Sequence, residues 1–78
     1  MKTLADLINH SAEEKYITHK IAGFCGEPEK VERLKEMGLH QGLELSFVGR
    51  APLKGPLLFR FGNTVLALRL EEASCALI

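Results

Sequence analysis

The chain's 78 residues, 46% hydrophobic and 26% charged, describe one small globular domain and exclude a disordered tail. A domain of this size buries only about 60% of the surface its unfolded chain exposes, which leaves little room for a deep active-site cleft. Ten Lys and Arg balance ten Asp and Glu, and zero net charge argues against a nucleic-acid partner.

No apolar run approaches the roughly 18 residues that span a bilayer, so direct membrane insertion is not expected. The N-terminus does not read as a secretory signal: Lys2 is followed by Leu4, Ala5, Asp6 and Leu7, with a charge inside the apolar stretch. These features predict a cytoplasmic protein. Cys25 and Cys75 are too few for a disulfide framework and are expected as free thiols.

Thr3 and Asp6 form a capping-box pattern for a short helix over Leu4–Ile8, which Asn9-His10-Ser11 ends. Tyr16 to Ala22 alternates as a strand, with His19 between Ile17 and Ile21. The main helix is predicted over Pro28–Met37. Pro28 suits its first position, and Glu27, Glu29 and Glu32 crowd the positive end of its dipole. Val31, Leu34 and Met37 form its apolar stripe. Gly38 supplies a left-handed stop, and Leu39 then stands where a Schellman cap wants an apolar residue to meet Leu34. His40-Gln41-Gly42-Leu43 reads as a type II turn.

A strand over Leu43–Val48 follows, then a loop from Gly49 to Pro56. Leu57–Phe61 and Thr64–Leu70 flank Gly62-Asn63 as a hairpin with a primed turn. The turn sets the register: Phe61 opposes Thr64, Phe59 opposes Leu66, and Leu57 opposes Leu68. Leu70 to Ala73 reads as a turn, and Ser74–Ile78 as a last strand. Five short strands and one main helix, placed between strands 1 and 2, predict an all-β dominated, small, partly open barrel.

Taken together, Arg33-Leu34, Met37-Gly38-Leu39, Gly42, Arg50-Ala51-Pro52, Gly55-Pro56, Leu66-Ala67-Leu68-Arg69 and Ala73-Ser74 resemble the FeoA family. Those are small cytosolic proteins of bacterial ferrous-iron uptake. The resemblance runs from Leu4 to Ile78 as a single domain over residues 1–78. It implies an SH3-like barrel and association with a large membrane GTPase that transports ferrous iron. One departure is Asn9-His10-Ser11-Ala12, where the family often has a Gly. A related module ends iron-dependent repressors, but this chain carries no helix-turn-helix segment.

Catalysis is not expected. No phosphate-binding GxxxxGK[ST] or GxGxxG occurs, and nothing in the spacing brings Cys25 or a Ser to a histidine base. No cofactor is called for. The candidate metal ligands His10, His19, His40, Cys25 and Cys75 show no Cys-x-x-Cys or His-x-x-x-His spacing. A stand-alone module binding or sensing ferrous iron or another divalent transition metal stays open as the alternative function. Proline-peptide binding lacks the aromatic groove it needs, since Phe47, Phe59 and Phe61 are assigned to the core.

The same register gives a candidate partner-binding face. With Leu57, Phe59, Phe61, Leu66 and Leu68 inside, Leu58, Val65 and Ala67 point outward, bracketed by Arg60 and Arg69. From Arg50 to Arg69 the chain holds four basic residues and no acidic one. Arg50, Pro52 and Lys54 of the adjoining loop complete the set. An apolar patch rimmed by charge is the usual form of a protein-binding surface.

Overall fold

The computed structural model of the protein describes residues 2–9 and 17–78. His10, Ser11 and Tyr16 lie outside the described residues, as does most of the Asn9–Ala12 departure. The N-terminal element is a 3₁₀ helix, Leu4–Asn9. One half of the expected capping box forms. The Asp6 carboxylate accepts from the Thr3 backbone N–H at 2.8 Å, and the Thr3 hydroxyl donates to the same oxygen at 3.4 Å. Leu4 and Leu7 are fully buried on its inner face.

Among the described residues six short strands follow, β1 Thr18–Lys20, β2 Gly23–Phe24, β3 Glu44–Arg50, β4 Leu57–Phe61, β5 Thr64–Leu68 and β6 Ala76–Leu77. Helix α1, Pro28–Glu36, lies between β2 and β3, and the four-residue helix α2, Leu70–Ala73, precedes β6. The strands form an antiparallel sheet of order β1-β3-β4-β5 and a two-stranded sheet β2-β6. Among the described residues the sheets do not close into one barrel.

The expected first strand is thus split in two. At Ile21 the chain still bonds its first neighbour: the Ile21 N–H donates to Leu43 O at 2.9 Å and Gly42 N–H to Ile21 O at 2.7 Å. One residue later Ala22 N–H donates to Leu77 O at 2.7 Å, so the chain changes sheet at this corner. Among the described residues the split gives six strands where five are expected, and it places α1 after β2. Ile17, just before β1, is 49% exposed at the sheet's end, whereas Ile21 is buried.

Helix α1 begins with Pro28 in its first turn and ends through a Schellman motif one residue earlier than expected. Gly38 N–H donates to Lys35 O at 3.0 Å and Leu39 N–H to Leu34 O at 3.1 Å. Gly38 has φ 103°, and Leu34 and Leu39 are both buried. The turn after it also forms, with Leu43 N–H donating to His40 O at 3.1 Å and Gly42 at φ 90°.

Strand β3 runs on to Arg50, two residues past the expected end, through a bulge between Phe47 and Gly49. An extra residue absorbed by a bulge lets pairing resume, and Gly is common at such positions. The β4–β5 register is the one expected: Phe61 faces Thr64, Phe59 faces Leu66 and Leu57 faces Leu68. Positive φ falls on Gly62 and not on Asn63, the type II′ pattern.

Strand β5 stops at Leu68 because the next residue caps a helix: Arg69 N–H donates to the Glu72 carboxylate at 2.9 Å. The segment read as a turn is therefore α2. Ser74, expected in the last strand, instead ends α2, its N–H donating to Leu70 O at 3.0 Å. Strand β6 is flanked by β2 on one side and by a bridge from Thr3 to Leu77 on the other.

The core joins Leu4, Leu7, Ile21, Leu34, Leu39, Leu45, Leu57, Phe59, Leu68 and Ala76. Each large side chain removed from water contributes about 1.5–3 kcal/mol. Phe47 and Phe59, opposite one another in the ladder, stack with centroids 5.6 Å apart and planes tilted by 54°.

Gly26, after β2, has φ 97° and lies where an added β-carbon would meet Cys75.

Candidate partner-docking surface

The eight sequence-picked residues fall into two groups. Leu58, Arg60, Val65 and Ala67 share the outer face of the β4–β5 hairpin, because Leu58 is opposite Ala67 and Arg60 is opposite Val65. Arg69 follows β5 on the same alternation. Val65 is 55% exposed, Ala67, Arg60 and Arg69 are exposed, and Leu58 is half-buried. Phe59, Leu57 and Leu68 are fully buried on the other side, with Leu66 and Phe61 half-buried at its margin.

Arg50, Pro52 and Lys54 form the second group. Arg50 is opposite Leu57, so it stands at the end of an inward-facing row. Its guanidinium turns onto the following loop, Nε donating to Gly55 O at 2.8 Å and Nη2 to Lys54 O at 3.3 Å. Ala51 N–H closes the loop on Pro56 O at 2.9 Å. The loop so held puts two consecutive non-Gly residues, Leu53 at φ 60° and Lys54 at φ 57°, in the left-handed region. Leu53 is completely exposed at its tip. Its exposure and strain are invisible in sequence, where Pro52-Leu53-Lys54-Gly55-Pro56 reads only as part of a loop.

The motif residues are structural. Leu34, Met37, Gly38 and Gly42 build the end of α1 and the turn that follows. Arg33 reaches across to α2, its Nη1 3.7 Å from Glu72 Oε2. The other oxygen of Glu72 takes the Arg69 N–H, so one carboxylate ties α1, α2 and the end of β5 together.

Of the candidate metal ligands, His10 lies outside the described residues. Among the described residues no three His, Cys, Asp or Glu side chains converge to hold an ion. His40 is exposed, with Nδ1 3.0 Å from Gln41 O, and His19 is half-buried in β1. Cys25, just after β2, and Cys75, just before β6, are free thiols, joined by Cys25 N–H donating to Cys75 O at 2.8 Å. A shallow cleft of about 500 Å³ lies elsewhere, lined by Phe24, Lys35, Gly38, Leu39, His40 and Gln41. No described helix is long and apolar enough to cross a membrane.

Two small antiparallel sheets on one core, with a single main helix and an open edge, define an SH3-like β domain. The chain belongs to the FeoA family, whose FeoA domain matches residues 6–78. No curated protein matches the sequence. Solved structures similar to it include a FeoA-like protein from Clostridium acetobutylicum, 27% identical over 99% of this chain and 85% of that one, with a TM-score of 0.74. Iron(II) transport protein A from Clostridium thermocellum is 28% identical, with a TM-score of 0.76; the match covers 96% of this chain but only 43% of that one. FeoA from Stenotrophomonas maltophilia, solved as a zinc complex, is 26% identical over 99% of this chain and 88% of that one, with a TM-score of 0.68. That protein is described as a procaryotic SH3 domain protein and a candidate ferrous iron transport activating factor.

Proposed function

We propose that the protein is a non-catalytic cytoplasmic accessory of ferrous-iron transport that docks on a membrane iron-transporting GTPase and modulates it. Family membership and the iron(II)-transport names of the relatives support the transport role. The observation that carries the docking is the outer face of the hairpin. Val65 and Ala67 lie exposed between Arg60 and Arg69, in a stretch with four basic residues and no acidic one. Arginine at the rim steers encounter with an acidic surface, and the apolar centre supplies the desolvated contact.

The test is a pair of variants, Leu58→Asp and Arg60→Glu. Arg60→Glu changes an exposed position and should leave stability within about 0.5 kcal/mol. Leu58→Asp is half-buried and is read only after its thermal midpoint has been checked. Both should weaken co-purification with the GTPase and lower ferrous-iron uptake in cells lacking the native copy. Full uptake by two folded variants places docking elsewhere, with the 51–56 loop as the next surface to probe.

The alternative, a stand-alone metal-binding module, draws support from the zinc complex of the Stenotrophomonas protein. Anaerobic titration with ferrous iron and zinc separates the two readings. Stoichiometric binding tighter than about micromolar, roughly −8 kcal/mol, favours the metal module.

A further inference from the structure

Strand β5 is the outermost strand of its sheet, paired on one side with β4. The two-residue turn at Gly62-Asn63 closes on Phe61 and Thr64, which makes Thr64, Leu66 and Leu68 the residues whose backbone groups bond β4. The N–H and C=O groups of Val65 and Ala67 therefore point away from β4, to the open edge. Among the described residues no hydrogen bond reaches those outward groups. The next outward position, Arg69, is different, since its N–H is taken by Glu72 and its carbonyl by the amides of Glu72 and Ala73. The edge is thus open at two residues and shut immediately after them.

Folded proteins protect such edges with charge, proline, a bulge or a covering loop. The strand Thr64-Val65-Leu66-Ala67-Leu68 carries neither charge nor proline, and its ladder with β4 runs without a bulge. On its inner side Leu66 stays half-buried while Leu68 is fully buried, so apolar surface remains uncovered beside the open amides.

We infer that β5 is a strand-addition site. An extended segment of the docking partner joins the sheet beyond β5, sets an apolar side chain against Leu66, and presents acidic side chains to Arg60 and Arg69. The occupant follows from charge. Pairing β5 with a second copy of itself brings two Arg60–Arg69 faces together with no acidic residue between positions 50 and 69 to offset them. An acidic strand meets both arginines favourably, and backbone bonding supplies affinity without demanding one sequence. The inference rests on the docking reading above and specifies how that docking occurs.

The experiment measures amide hydrogen exchange in the isotope-labelled full chain, free and bound to the purified iron-transporting GTPase in detergent micelles. The Val65 and Ala67 amides should slow at least tenfold on binding, whereas those of Leu66 and Leu68 are protected already. Ala67→Pro removes an outward N–H that the ladder does not use, a place where edge strands tolerate proline. It should raise the Kd at least tenfold, and clearly more than Ala67→Ser, which changes the same side chain on the docking face but keeps the N–H.

Binding with Val65 and Ala67 still exchanging at their free rates overturns strand addition and leaves the docking face standing. Absence of any binding overturns both. Protection that grows with protein concentration in the absence of the GTPase assigns the edge to a second copy and overturns the acidic partner. Because the exchange measurement uses the unaltered chain, it decides the matter even where Ala67→Pro fails to fold.

Discussion

An ideal β-carbon on Gly26 would lie 2.9 Å from the Sγ of Cys75. The two residues belong to the corner where the chain, leaving β2, passes α2 and β6. Gly26 also has φ 97°, where a side chain strains the backbone whatever the space. Gly26→Ala should therefore cost about 2–3 kcal/mol, combining left-handed strain with overpacking. Replacing Cys75 by Ala removes the steric part alone. The double variant should recover about 1 kcal/mol relative to the sum of the singles, read from urea unfolding. Strictly additive losses would locate the strain wholly in the backbone.

Gly38 makes a contrast with Gly26. A β-carbon there meets only Phe61 Cζ, at an ordinary 3.9 Å. The cost of Gly38→Val is then a matter of φ, about 1–3 kcal/mol. Asn, which visits the left-handed region more readily, should lose clearly less at the same site. Equal unfolding midpoints for wild type and the Val variant would mean that the Schellman stop contributes nothing.

Sequence reading reached the features fixed by local chemistry. Gly38 followed by Leu39 specifies a helix stop, and Gly62-Asn63 specifies both a turn and the register of ten neighbouring strand positions. It failed where distant segments decide. Nothing near Ile21 announces that Leu43 and Leu77 compete for adjacent backbone groups, so the split first strand was not legible. Nor could Gly26 be weighed without Cys75, 49 positions away. On the candidate surface, alternation named the outward hairpin residues. The turning of Arg50 onto Gly55 and the exposure of Leu53 depend on how the loop folds back.

Glu72 should matter more than the ion pair it makes. Its link to Arg33 spans 3.7 Å with the Arg33 side chain 72% exposed, and exposed pairs of this kind contribute little. Its bond to the Arg69 N–H is 2.9 Å and caps α2. Arg33→Ala should change stability by less than about 0.5 kcal/mol, and Glu72→Ala should cost about 1 kcal/mol. Glu72→Gln keeps an acceptor oxygen and should fall between them. If Arg33→Ala and Glu72→Ala prove equally costly in thermal unfolding, the charge pair, and not the cap, holds α2.

Leu53 offers a way to separate stability from docking. Left-handed backbone costs a residue with a β-carbon about 1–2 kcal/mol, and Leu53 and Lys54 adopt it in succession. Leu53 gains nothing from burial in return, being fully exposed. The loop is held by the hydrogen bonds that Arg50 gives to Lys54 O and Gly55 O, which do not involve the Leu53 side chain. Leu53→Asn should therefore keep the fold and raise stability by up to about 1 kcal/mol, since Asn tolerates this conformation better. Arg50→Ala should act in the opposite direction by freeing the loop, at about 1–2 kcal/mol for two hydrogen bonds from a charged donor. If the loop tip joins the hairpin face in docking, Leu53→Asn weakens GTPase co-purification in a protein at least as stable as wild type. A stability gain with undiminished co-purification leaves the Leu53 side chain outside the docking surface. A stability loss would show that Leu53 makes an apolar contact that offsets its backbone strain.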